Sequence, residues 1–165
     1  MEILPYLDAE CLENIHIHRN AGLNEECTIE LDELSKTEQW SKAKRLWITK
    51  STVRMSIQDM NILNFEIIDI TVETMSQEDI NYCRKNLTRP SVIWNFQIRI
   101  KNCATADFLA ALGEPYRVVS NIKYIWYFRI GNTRRYLHVM LGHVPLQAAG
   151  RLQFTNISRF DTPFF

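Results

Sequence analysis

The sequence predicts a mixed α/β fold, in which a layer of parallel strands carries helices on one face and ends in an antiparallel meander. Two observations predict this fold class. Between residues 65 and 100, strand, helix and strand patterns follow one another without a gap, which is typical of a βαβ unit with parallel strands. From residue 124 onward there are three β-rich runs, and a hairpin signal joins the first two, which favours antiparallel pairing.

The βαβ segment begins with a strand at residues 67–72, where β-branched side chains dominate. Ser76 then predicts the start of a helix, because its hydroxyl can accept a hydrogen bond from the free amide of Asp79. Apolar side chains follow at helical spacing until Pro90 prevents continuation. The returning strand at residues 94–100 alternates apolar and polar side chains, so one of its faces is expected to be buried and the other wet.

The N-terminal part predicts two further helices, each leading directly into a strand. Asp8 is the expected N-cap of the first, and Ser35 with Glu38 fits the capping box of the second, over residues 36–45. Helix followed by strand therefore recurs three times, which predicts a leucine-rich-repeat-like layer. The strands expected in this layer are residues 15–17, 46–49, 67–72 and 94–100, and a short strand over 27–31 is an additional possibility.

The C-terminal part predicts one more helix and the meander. Thr105 is the expected cap of a helix that ends before Gly113, and Gly131-Asn132 is typical of a hairpin turn. The predicted meander strands are residues 124–130, 136–141 and 152–157, extending the parallel sheet. The residues expected in the core are Trp40, Leu46, Ile48, Ile70, Ile80, Phe96, Ile98 and Phe128.

Length and composition favour a single intracellular domain over residues 1–165. The four cysteines include no CxxC pair and no signal peptide is recognisable, so we expect reduced cysteines and a cytoplasmic or nuclear protein. No apolar run approaches the roughly 18 residues needed to span a bilayer, so we expect no membrane anchor.

The equal totals of 19 basic and 19 acidic residues hide a charge gradient along the chain. Residues 1–40 contain ten Asp or Glu against two Lys or Arg, a balance of −8, whereas residues 81–165 contain three against twelve, a balance of +9. The gradient is explained either by solvated faces of opposite sign or by a polarised binding surface.

The sequence gives little indication of catalysis. It contains no G-x-S-x-G, P-loop or G-x-G-x-x-G motif, and the histidines have no carboxylate or cysteine at ligand spacing. We therefore expect a protein that is not an enzyme and that uses no cofactor or metal. An alternative function is RNA binding by the basic, aromatic C-terminal half, although the alternation pattern buries Trp126 and thereby favours core packing over stacking on bases.

Six segments carry a resemblance to a known family: ILPYLDAECLENIHI, EQWSKAKRLWI, NFEIIDITVETMSQEDINYCRKNL, FLAALGEP, WYFRI and LHVML. The most specific parts are E-Q-W-x-x-A-K-x-L-x-I at residues 38–48 and the helix start at residues 76–80. Together they resemble the FTH domain of nematode F-box proteins, over about residues 3–157.

The resemblance implies a non-catalytic protein-interaction module, the target-recognition half of an adaptor for a Skp1–cullin ubiquitin ligase. In that family a separate F-box upstream docks on Skp1. Leu4-Pro5 resembles the start of an F-box, but only about 14 residues precede the first predicted strand, against roughly 40 for three helices. We therefore expect no complete F-box within residues 1–165, and a Skp1-type partner only where an F-box is supplied elsewhere.

The expected binding surface is the sheet face that the helices leave open. Alternation places His16, Thr49 and Thr71 on that face. The predicted partner-binding residues on it are Trp47, Asp69, Gln97, Arg99, Tyr127, Arg129 and His138. Trp47, Arg99 and Tyr127 are the expected anchors, because these residue types most often dominate binding energy. The alternative is that a loop or a terminus covers Trp47 and that loops bind the partner.

Overall fold

A computed structural model describes residues 4–18, 27–88, 95–143, 148–158 and 161. Its helices are α1 (Glu38–Lys42), α2 (Gln77–Leu87) and α3 (Thr105–Leu112). Its strands are β1 (Asn14–His18), β2 (Thr28–Ile29), β3 (Arg45–Thr49), β4 (Thr52–Val53), β5 (Ile67–Val72), β6 (Asn95–Ile100), β7 (Arg117–Val119), β8 (Lys123–Arg129), β9 (Arg135–His143) and β10 (Gly150–Ser158). The predicted strand start at Trp94 and the helix stop at Pro90 lie outside the described residues.

The described strands form one sheet, with the order β1-β3-β5-β6-β10-β9-β8-β7; in addition, β4 pairs with β5, and β2 pairs with β4. The strands from β1 to β6 pair in parallel, and those from β10 to β7 pair antiparallel. β6 joins the two halves, since it is parallel to β5 and antiparallel to β10. The predicted mixed α/β class, with parallel strands first and an antiparallel C-terminal meander, is confirmed.

The core lies on one face of this sheet, where all three helices pack. Trp40 of α1, Ile80 of α2 and Phe108 of α3 join one apolar cluster with the inward side chains of the strands. Seven of the eight predicted core residues are fully buried. The exception is Phe128, which is only half-buried because it lies near the sheet margin under the Arg84 guanidinium, 5.6 Å from its ring centre.

The start of α2 follows the predicted capping chemistry. The Ser76 hydroxyl accepts a hydrogen bond from the Asp79 amide at 3.0 Å, and the Asp79 carboxylate in turn accepts from the Ser76 amide at 3.4 Å. Asp79 is also buried and accepts a 2.8 Å hydrogen bond from the Ile57 amide. This carboxylate therefore has a structural role, fastening residues 56–60 to the helix start.

The first two predicted helix starts are wrong, because Asp and Ser cap turns as readily as helices. The Asp8 carboxylate accepts from the Glu10 amide at 2.9 Å within a turn, and β1 follows without an intervening α-helix. The Ser35 hydroxyl donates to the Asp32 carbonyl at 3.3 Å. Thr37 caps α1 instead, so this helix has five residues rather than the ten expected over 36–45.

The predicted cap of α3 is also wrong by one position. Thr105 is the first helical residue and makes no capping bond. Its hydroxyl instead forms a 2.8 Å hydrogen bond with Nε2 of His143, which fixes the helix to β9. Gly113 ends the helix as predicted, with φ at +79°, a conformation that glycine adopts without steric penalty.

Candidate binding face of the sheet

We call the sheet face opposite the helices the open face. Strand pairing aligns its side chains in rows that cross the sheet at right angles to the strands. The central row takes one residue from each strand in the sheet order β1-β3-β5-β6-β10-β9-β8-β7. These residues are His16, Trp47, Asp69, Gln97, Gln153, Met140, Ile125 and Arg117. Most of these side chains remain partly exposed, so the open face is a broad surface accessible to solvent.

All seven residues predicted to bind a partner lie on the open face. Trp47, Asp69 and Gln97 are consecutive register partners in the central row. Tyr127 and His138 pair with each other across β8 and β9. The remaining two are Arg99, near the C-terminal end of β6, and Arg129, at the end of β8. Alternation therefore assigned the face correctly, whereas a partner's use of it stays a prediction.

In the parallel half, the polar side chains of the open face bind one another. Asp69 forms an ion pair with Arg99 at 2.8 Å and accepts a 3.3 Å hydrogen bond from Gln97. The Arg99 Nε also donates to the Thr71 hydroxyl at 3.1 Å. This network joins β5 to β6 and holds the Arg99 guanidinium in one orientation.

A second polar cluster lies toward the β1 edge. The imidazoles of His16 and His18 both contact the Thr49 hydroxyl, at 3.2 and 2.8 Å. The His16 ring also meets Trp47 edge-on, with 6.4 Å between ring centres. Trp47 keeps part of its surface exposed next to these rings, so it is available on the open face.

In the antiparallel half, Tyr127 lies between two other rings. Its centre is 5.4 Å from that of Tyr116 and 5.2 Å from that of His138. Partial burial raises the pKa of Tyr127. Burial and the neighbouring Lys123 ammonium lower the pKa of His138, which therefore favours its neutral form at neutral pH.

A shallow cavity of about 450 Å³ adjoins this ring cluster, lined by Tyr116, Arg117, Ile125 and Tyr127. A larger cavity of about 750 Å³ lies at the start of α1 and contains no open-face residue. The smaller cavity therefore gives the antiparallel half of the open face a recess in which a partner side chain could lodge.

The sequence analysis predicted β10 as the strand over residues 152–157, but it did not assign Arg151, Gln153 and Thr155 to the middle of the binding face. Its alternation was visible, since Leu152 and Phe154 are buried between these polar residues. The missing information was the strand order. A period of two assigns side chains to faces, but it does not say which strands are neighbours.

The open face is strongly basic although the whole chain is neutral. Among the described strand residues, six cations lie on this face against one carboxylate, that of Asp69. These six are Arg45, Arg99, Arg117, Lys123, Arg129 and Arg151. The charge gradient along the sequence is therefore partly a polarised surface in the folded protein.

The cysteines do not resemble activated nucleophiles. Burial raises the pKa of Cys103 to about 11 and that of Cys83 still further, so their thiols stay protonated at neutral pH. Within the described ranges, no three His, Cys, Asp or Glu side chains converge as metal ligands. No helix in the described part of the chain is both long and apolar enough to cross a membrane.

The fold and its open face define a class: a mixed α/β domain whose single sheet is covered by helices on one side and offers a polar, aromatic surface on the other. A family model described as the FTH domain matches residues 1–115, which is more than two thirds of the chain. The chain belongs to the FTH domain family. The match ends shortly after α3, and β7–β10 follow it. No curated protein and no solved structure matches the chain.

Proposed function

We propose that this FTH domain is a non-catalytic protein-interaction module that recognises a protein target with the open face of its sheet. The observation that carries the proposal is the placement of Trp47, Arg99 and Tyr127 on the same partly exposed sheet face, opposite the core. Tryptophan, tyrosine and arginine are the residues that most often supply binding energy in protein interfaces.

The local contacts of these anchors support the proposal. Arg99 is held by Asp69 and Thr71, and Tyr127 is held between two rings. Side chains that are already ordered lose little rotamer entropy when a partner binds, so more of their contact energy contributes to affinity.

The cellular role that fits this chemistry is target recognition in an F-box adaptor of a Skp1–cullin-type ubiquitin ligase, as the resemblance to nematode F-box proteins implies. The domain would act inside the cell and hold the target, as a leucine-rich-repeat-like layer does with its exposed sheet face. An F-box supplied elsewhere would bind Skp1.

The test is an affinity capture from cells with the wild type and with a triple variant, Trp47→Ala, Arg99→Ala and Tyr127→Ala. We expect the wild type to retrieve a reproducible protein partner and the triple variant to lose it at least about tenfold, because truncated anchors weaken complexes by that order. Circular dichroism and thermal unfolding establish that the variant remains folded.

The matched control truncates exposed side chains away from the open face: Tyr6→Ala, Lys85→Ala and Leu109→Ala. This variant should retrieve the partner as the wild type does. If the folded anchor variant retains the same partner in full, target recognition by the open face is wrong.

A further inference from the structure

Four residues of the open face form one row across the antiparallel half, which we call the cationic row: Arg99, Arg151, Gly142 and Lys123. Strand pairing places Arg151 opposite Arg99, then Gly142 opposite Arg151, and Lys123 opposite Gly142. Two cations, Arg151 and Lys123, thus flank a residue without a side chain. Their strands are two apart, a separation of about 10 Å.

Packing does not require the glycine at position 142. A Cβ built there would meet only the Arg151 carbonyl oxygen, at 4.0 Å, and its backbone φ lies outside the left-handed region. Gly150 is different, because a Cβ at that position would lie 2.6 Å from the Cys103 sulfur. Gly142 therefore leaves an open notch between two cations, where any side chain could have been accommodated.

Two cations of this row, Arg151 and Lys123, differ from the lysines near α1. Lys42 and Lys44, near α1, form ion pairs with Glu10, Glu38 and Glu13. Arg151 and Lys123 form no ion pair with any described residue. Arg151 moreover faces another guanidinium, that of Arg99, and like charges directly opposite each other destabilise an antiparallel pair. An external carboxylate would relieve this repulsion.

We propose that the cationic row binds an acidic segment of the protein target, with a carboxylate seated over Gly142 between Arg151 and Lys123. This inference rests on the proposed function and adds the chemistry of the partner. Arg99, already oriented by Asp69, borders the site on the parallel side. Charge complementarity is what selects an acidic occupant, since the row contributes three cations and no carboxylate of its own.

An acidic polypeptide fits the site better than a nucleic acid. The cationic row is short, with three cations across four strands, so it offers no long track for the backbone of a nucleic acid. The ring of Tyr127 is engaged with Tyr116 and His138 rather than presented as a stacking platform for bases. A short run of carboxylates needs neither a long cationic track nor free aromatic faces.

The test uses fluorescence anisotropy with three labelled probes: a peptide of alternating glutamate and threonine, the same peptide with glutamine for glutamate, and a single-stranded oligouridylate of similar length. We expect the wild-type chain to bind the glutamate peptide at least about tenfold more tightly than the other two. The double variant Arg151→Glu with Lys123→Glu should lose at least about tenfold in affinity, because it reverses both flanking charges.

Two further variants locate the site. Gly142→Val should fill the notch and weaken the glutamate peptide several-fold without changing the net charge. Lys85→Glu with Arg134→Glu makes the same charge change as the double variant at exposed positions outside the row, and should bind like the wild type. If this control weakens binding of the glutamate peptide as much as the double variant does, the effect comes from overall charge and the proposal is wrong.

Preference for the oligouridylate over the glutamate peptide would also overturn it, in favour of nucleic-acid binding. Affinity capture of the cellular partner with both variants distinguishes this inference from the proposed function. If the anchor variant loses the captured partner while the folded Arg151→Glu, Lys123→Glu variant keeps it, target recognition stands and the cationic row is excluded. If both variants keep the partner, both proposals fail.

Discussion

The parallel and antiparallel halves of the open face handle polar side chains in opposite ways. In the parallel half, Asp69, Arg99 and Gln97 satisfy one another across neighbouring strands. In the antiparallel half, Arg151 and Lys123 have no described ion-pair partner, and Arg151 faces Arg99. The polar side chains of the parallel half are thus paired within the folded protein. The cations Arg151 and Lys123 of the antiparallel half are the ones to which we assign the proposed ligand.

This difference shows why total charge is a poor guide to the surface of this protein. In the described part of residues 1–40, four carboxylates form ion pairs with lysines in or near α1: Glu10, Glu13, Glu33 and Glu38. The C-terminal cations, by contrast, are carried onto one sheet face by strand alternation. A chain with a formal net charge of zero thus has a basic face, because its acidic and basic residues lie on different parts of the fold.

The largest expected effect tests whether the two halves are one cooperative unit. Phe96 is fully buried on β6, with Ile68 of the parallel half on one side and Phe154 of the antiparallel half on the other. Phe96→Ala should lower the free energy of unfolding by about 3–5 kcal/mol, through lost burial and the resulting cavity. Urea unfolding followed by tryptophan fluorescence and by circular dichroism measures it, with Phe96→Leu as the milder control. Two separate transitions in the wild type would show that the halves are independent units.

A smaller effect on stability is expected from two glycines of the antiparallel half, Gly150 against the core and Gly142 on the open face. Gly150→Ala should lower the free energy of unfolding by about 1–3 kcal/mol, because the new methyl group collides with the Cys103 side chain. Gly142→Ala should leave it unchanged or raise it by up to about 1 kcal/mol, since the backbone there is unstrained and the site is open. Thermal unfolding of both variants gives the comparison. Equal destabilisation by the two would mean that Gly142 is a packing residue.

The smallest effect concerns pH and probes the environment of the basic half. The folded protein holds the pKa of His138 below its ordinary value of 6.5, through burial and Lys123. The unfolded chain therefore binds more protons than the folded protein as pH falls through that value, and the free energy of unfolding should decrease slightly between about pH 7 and pH 5. His138→Gln should remove this part of the pH dependence, as measured by urea unfolding across that range. An unchanged profile would mean that His138 titrates normally.

Period-two alternation predicted most of the sheet, because an exposed and a buried face leave a strong mark on a strand. The strand at residues 67–72 has the predicted bounds, and β6 ends where predicted. The same alternation placed the candidate site residues on one face. Local caps were less reliable: Ser76 caps α2 as expected, but Asp8 and Ser35 stabilise turns with the same kinds of hydrogen-bonding group.

Long-range pairing explains what the sequence did not reveal. The strands β4 and β7 have two and three residues, too few to show a period. The insertion of β10 between β6 and β9 depends on contacts between residues far apart in the chain, and no local pattern specifies them. The cationic row could not be predicted for the same reason, since Arg99 and Arg151 become neighbours only through that insertion.

The place of β10 in the sheet bears on how the protein forms on the ribosome. β6 leaves the exit tunnel well before the strand that pairs with its second edge, because α3 and the β8–β9 hairpin are made in between. During this interval the nascent chain exposes an unpaired edge beside Phe96 and Ile98, which is a template for association with other chains. The growing polypeptide is therefore expected to be most open to capture by chaperones after β6 has left the exit tunnel and before β10 leaves it and pairs with β6.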